Sequence, residues 1–235
     1  MSSGAGYIDI SHTLSEDFAP WPGDTAFSRV VTASIAEGDS VNLTTMTLSG
    51  HTGTHIDAPY HYHMDGLGLE ALDPGLFIGD CALLDVENLE DATGKIGVLP
   101  LARALEYRFL STNTLPKRLL LRTGYKPGSP FVQSFGYPSP TSIAMLASRG
   151  VRLIGTDAPS MDAIDSKRLP THRACARHGV IIMELLRLEQ VSEGYYFLIA
   201  PPHKVADADG FPVRALLFDC DYSSIPRRDC TPSAK

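Results

Sequence analysis

What this chain has little of narrows its class first. Only four cysteines occur in 235 residues, at 81, 175, 220 and 230, with no CxxC pair and no tight spacing. The N-terminus, Met1 to Gly6, carries no positive charge and no apolar core of the kind a secretory leader needs. Together these features predict free thiols in a reducing cytoplasm. No basic run is present that could follow a phosphate backbone, and the formal charge of −7 argues against a nucleic-acid partner. No uninterrupted apolar stretch approaches the roughly 18 residues that suggest a membrane span. Internal repeats, low-complexity segments and dividing linkers are also missing. The expectation is therefore one domain over residues 1–235, large enough to bury a sizeable core.

What is there reads as many short elements separated by turns, since the 17 prolines and 20 glycines are spread along the chain. Residues 41–49 are rich in β-branched side chains and roughly alternate in polarity, as a half-buried strand does. Strand-length apolar runs follow at 76–86, 118–123, 151–156, 180–186, 195–200 and 213–218. Ser139-Pro140 opens a helix that Gly150 closes, with serine as N-cap, proline in the first turn and glycine at C′. Residues 171–178, closed by Gly179, form a shorter helix, and 98–108 a third. More strands than helices, with helices set between them, indicates a mixed α/β protein. Periodicity alone does not separate a layered sandwich from an open doubly wound sheet.

One segment stands apart. Four of the eight histidines, His51, His55, His61 and His63, fall within thirteen residues, with Asp57 among them. Neutral imidazoles and a carboxylate are ligands that borderline and moderately hard divalent metals accept. Thr-Gly-Thr between His51 and His55 is a poor helix former. On an extended strand these two residues would stand about 13 Å apart, too far to share an ion. The segment must bend, and Gly53 can adopt the dihedrals a bend requires. The expectation is a strand ending near Ser49–Gly50, then a tight loop folding His51, His55 and Asp57 around one point. Pro59 would stiffen the exit and leave His61 close by, whereas His63 lies beyond the pattern. A distant ligand is also needed, and Glu184 is the candidate, because a carboxylate in an apolar strand-like run is costly unless paired or metal-bound. His172 lies twelve residues upstream, at the start of the short helix. Asp157, at a strand end, is as suited to capping a turn as to orienting a ligand.

At these residues the chain resembles the bacterial-type kynurenine formamidases (arylformamidases), members of the metal-dependent cyclase-like hydrolases. The opening Ile8-Asp9-Ile10-Ser11-His12-Thr13-Leu14 and Trp21-Pro22-Gly23-Asp24 carry the likeness. So do His51-x-Gly53-Thr54-His55-x-Asp57-Ala58-Pro59-x-His61, the stretch from Gly150 to Ser160, Asp165-Ser166-Lys167, and Asp209 to Ala215. The resemblance implies a three-layer β/β/α swivelling fold with mixed sheets, usually dimeric. It implies one metal on His51, His55 and Asp57, and a second on Asp57, His172 and Glu184, with both carboxylates bridging. By the same likeness His61 is the general acid/base and Trp21 the aromatic that contacts substrate. Two departures stand out: Ala200-Pro201-Pro202-His203-Lys204 is less apolar than expected, and Ala158 replaces a common threonine.

The implied reaction hydrolyses N-formyl-L-kynurenine, a small molecule, to L-kynurenine and formate. Divalent metal lowers the pKa of water toward 7, and His61 can move protons near neutral pH. The ligand set admits zinc, manganese or cobalt, and zinc is the choice by prevalence. Two other readings use the same residues: a family hydrolase opening a cyclic amide such as isatin, or a lactone, and a non-catalytic metal-binding protein.

Overall fold

The apolar runs become the middle of a nine-stranded sheet in the computed structural model, which describes residues 6–109 and 115–219. In chain order the strands are β1 (Tyr7–Asp9), β2 (Ser28–Ala33), β3 (Leu43–Thr47), β4 (His55–Asp57), β5 (Ile78–Asp85), β6 (Lys95–Ile96) and β7 (Arg118–Arg122). They continue as β8 (Tyr137–Pro138), β9 (Leu153–Thr156), β10 (Ile181–Glu184), β11 (Gly194–Ile199), β12 (Gly210–Pro212) and β13 (Leu216–Asp219). The α-helices are α1 (Val98–Phe109), α2 (Pro140–Ser148) and α3 (Pro170–His178).

The large sheet runs β1-β13-β11-β5-β7-β9-β10-β4-β12. Its centre, β5-β7-β9-β10, is parallel, and both flanks are antiparallel. Parallel neighbours need crossover connections, and α1, α2 and α3 supply them in turn. The central strands are nearly continuous hydrophobic runs because both of their faces are covered. On one face Ala82, Leu84, Leu119, Leu121, Ile154 and Ile182 pack with Leu101 and Leu105 of α1, Ile143 and Leu146 of α2, and Ala174 of α3. On the other, Leu83, Leu120 and Met183 share a cluster with Ile56 of β4 and Leu198 and Leu217 of β11 and β13. Strands from both flanks therefore reach the same cluster, so the sheet curls over it. One helical layer and two β layers result, the mixed α/β arrangement expected.

Helix α2 begins as its sequence requires. Ser139 Oγ accepts the Ser142 amide at 3.1 Å, Pro140 sits in the first turn, and Gly150 follows at φ +98°. Helix α3 starts differently. The residue before it, Leu169, is left-handed at φ 44° and offers no capping side chain. The Asp162 carboxylate caps the helix from outside, accepting the Thr171 and His172 amides at 3.0 and 3.1 Å.

Two expectations are corrected. The strand read at 41–49 is β3, and it is exposed along its whole length rather than half-buried. It pairs only with β2 in a two-stranded ribbon that leaves Val30, Val31, Leu43 and Met46 in solvent. Alternation of polarity marks a strand but does not say whether a core lies beneath it. The loop expected over residues 51–57 straightens into β4 at its end, because β10 and β12 pair with it on both sides. Among the described residues no helix is long and apolar enough to cross a membrane. Cys81 and Cys175 are buried, and Cys220 and Cys230 lie outside the described residues.

Candidate active site

Strand pairing builds the site. In the antiparallel ladder between β4 and β10, His55 stands opposite Glu184. Directly opposed residues project to one face of a sheet, as do residues two apart, so His55, Asp57 and Glu184 share a face. His51 returns to them through a turn closed by the Thr52 amide on the Ser49 carbonyl, with Gly53 at φ +65°. A Cβ on Gly53 would come within 2.3 Å of Leu14, so the bend requires glycine twice over. Gly210 of β12 has the same duty toward His51, whose ring lies 2.6 Å from where its Cβ would be. His61 ends the short 3-10 turn Pro59–His61, and α3 carries in His172.

The side chains expected as ligands converge. His51 Nδ1 lies 2.9 Å from Asp57 Oδ1, and His55 Nε2 lies 3.1 Å from the same oxygen. His55 Nε2 and His172 Nε2 each stand 3.7 Å from a Glu184 oxygen, and His172 Nε2 is 3.7 Å from Asp57 Oδ2. Two compact ligand groups result, His55-Asp57-Glu184 and His51-Asp57-His61. Asp57 belongs to both, and His61 stands among potential ligands rather than apart from them. All but His51 and His61 are buried.

Hydrogen bonding at the far side of each ring sets what the site can hold. His55 Nδ1 faces the Gly53 carbonyl at 2.8 Å, an acceptor that fixes the proton on Nδ1. His172 Nδ1 faces Asp162 Oδ2 at 2.7 Å with the same effect. Both Nε2 atoms then present lone pairs toward two carboxylates that also only accept. Accordingly His55 Nε2 and Glu184 Oε1 are buried with no hydrogen-bond partner. Each such orphan costs about 1–3 kcal/mol. A divalent cation satisfies all of them at once, and the imidazole held by an outer carboxylate is a recurrent arrangement around metals.

The electrostatics agree. Burial alone would raise the Asp57 carboxyl, but the His51 and His55 imidazoles beside it outweigh that and hold it well below the usual range. Burial, reinforced by the Asp57 charge, pushes Glu184 well up. Two carboxyls packed this closely oppose one another's ionisation unless a cation lies between them. His51 is raised to about 9, since burial is overcome by Asp57 on one ring nitrogen and Asp209 on the other. His61 is pushed down, chiefly by burial.

A cavity of about 400 Å³ opens above these groups. Trp21 lines it, with Phe131 meeting its ring edge-on at 5.4 Å between centroids. Three other residues noted in the sequence lie elsewhere. His63 borders a different depression, His203 stacks on Phe211, and Asp157 accepts the Thr123 and Gly124 amides at 2.8 and 3.0 Å. Two carboxylates that contact the histidines of the site were not singled out in the sequence. Asp209 Oδ2 stands 3.2 Å from His51 Nε2 and 3.4 Å from His61 Nδ1, and its signal was the closing Asp209–Ala215 stretch. Asp162, behind His172, has no local sequence signal.

Comparison with known proteins is consistent with this geometry. The family model described as "Putative cyclase" matches residues 8–163. A kynurenine formamidase of Bacillus cereus is 41% identical over 212 residues, covering 90% of this chain and 96% of that protein. A predicted metal-dependent hydrolase from Bacillus stearothermophilus superposes with a TM-score of 0.74 at 28% identity, covering 91% and 98% of the two chains. Isatin hydrolase A from Labrenzia aggregata has the same fold, with a TM-score of 0.74 at 22% identity over 90% and 92%.

Proposed function

The chain belongs to the cyclase family, and from that premise we propose that it is a metal-dependent kynurenine formamidase. It hydrolyses N-formyl-L-kynurenine to L-kynurenine and formate. The observation that carries the chemistry is the set of inward lone pairs on His55, His172, Asp57 and Glu184, two of their atoms without a hydrogen-bond partner. The substrate assignment rests on relatives 41% identical across nearly their whole length.

In this reading His51, His55, Asp57, His172 and Glu184 would hold two divalent ions. The donor set of imidazole and carboxylate admits zinc, manganese or cobalt, and zinc is taken by prevalence. When bound, the ions supply an activated water and polarise the formyl oxygen. The remaining work falls to the protein. His61 turns Nδ1 toward Asp209, which leaves Nε2 to take a proton from the nucleophile and return it to the departing aniline nitrogen. Its lowered pKa keeps that nitrogen unprotonated at neutral pH. Trp21 offers its ring as an apolar wall for the aryl group.

The test joins elemental analysis with turnover. Purified protein should contain divalent metal, hydrolyse N-formyl-L-kynurenine, lose activity on chelation and regain it when zinc or manganese is restored. Faster turnover of isatin than of the formamide would move the assignment to a cyclic-amide hydrolase. Bound metal with no turnover of either would leave a binding protein. A cytoplasmic homodimer goes with this reading, and the exposed apolar ribbon of β2 and β3 supports the dimer. Isolated two-stranded ribbons are marginal in water, and an apolar surface of this kind marks an interface.

A further inference from the structure

The turn that presents Trp21 also presents a carboxylate. The Asp24 amide bonds back to the Trp21 carbonyl at 2.9 Å, with Gly23 at φ +100°, so one tight turn carries both side chains to the same cavity. Asp24 is exposed at the mouth. Its Oδ2 accepts the Ser49 hydroxyl at 3.1 Å, and Ser49 Oγ in turn accepts the His51 amide at 3.2 Å. No cation among the described residues pairs with Asp24, and its Oδ1 accepts no hydrogen bond from them.

The other acids of the cavity are committed. Glu184 lies buried against His55 and His172, and Asp209 faces His51 and His61. Among the described residues lining the cavity none is lysine or arginine. A zwitterionic side chain on the substrate would therefore find a fixed anion at the rim for its ammonium and no lysine or arginine for its carboxylate. An aryl ring against Trp21, with a cationic substituent reaching the rim, meets an unpaired anion at that position.

We propose that Asp24 is a specificity-determining residue that binds the α-ammonium of an amino-acid side chain attached to the aryl formamide. The substrate's carboxylate is left toward solvent. This rests on the formamidase reading and extends it from the reacting bond to the distal part of the substrate. Asp24 would then select aryl formamides that carry an amine over those that do not.

The experiment compares kcat/KM of the metal-loaded enzyme on N-formyl-L-kynurenine and on N-formylaniline, which has the same bond and no ammonium. In Asp24→Asn the ratio of the two should fall about tenfold, mainly through KM for N-formyl-L-kynurenine, as expected for loss of one charged hydrogen bond. Asp24→Glu, which keeps the charge, should recover part of the ratio. An unchanged ratio overturns the proposal. So does an equal loss on both substrates, which would make Asp24 a support for the Ser49 turn only. Wild-type enzyme inactive on N-formyl-L-kynurenine would overturn the formamidase reading itself and this inference with it.

Discussion

At the scale of single residues, His61 holds the most chemistry for its position. It stands close enough to His51 and Asp57 to be a ligand, yet it is the most exposed of the group, lines the cavity and has Nδ1 3.4 Å from Asp209. Replacing it separates the two roles. His61→Ala should lower kcat by about 10²–10⁴-fold, the usual worth of a positioned acid/base, with metal content by elemental analysis close to wild type. Metal lost in step with activity would make His61 a ligand. The histidines and Asp57 were legible in sequence because imidazoles crowded into one short stretch, bent by glycine and proline, converge on a common point. Glu184 was legible because an acid interrupts an apolar run. Asp162 was not, since its importance comes from facing a ring ten positions away across a fold that no local pattern encodes. Asp209 reaches His51 from much farther along the chain, and only the resemblance marked its neighbourhood.

Elements differ in how much of their own ending they contain. Helix α2 carries its N-cap, its proline and its closing glycine, and it lies where the sequence puts it. Ser139→Ala removes the cap bond to Ser142 and should cost about 1 kcal/mol. The melting midpoint should fall by about 2–4 °C for a chain of this size, measured by scanning calorimetry. A change within error would mean that neighbouring groups or water satisfy the Ser142 amide as well. Strand β4 contains almost none of its own definition. His-Ile-Asp is a weak strand former, and it is extended because two neighbours pair with it. Helix α3 is intermediate, since its sequence gives the body while its capping carboxylate comes from outside.

For the whole molecule, the mixed α/β class followed from counting elements. The strand order did not, because parallel and flanking pairings join segments distant in the chain. Nor could alternation in residues 41–49 disclose that β3 lacks a core beneath it. If that ribbon is covered by a second copy, the wild-type protein should have twice the chain mass in light scattering at micromolar concentration. Val31→Glu combined with Met46→Glu should shift it to the mass of one chain. A wild-type protein that already runs at single-chain mass would refute the dimer.

The opposition of His55 and Glu184 across β4 and β10 has a further consequence. Slipping that ladder by one position would turn Glu184 to the opposite face and bring an aliphatic neighbour into the ion's place. A cation held there therefore acts as a proofreading clamp, rewarding only the correctly aligned sheet. The free energy of unfolding should then climb with free-ion concentration, by RT ln(1 + [L]/Kd) for each occupied position, and the melting midpoint with it.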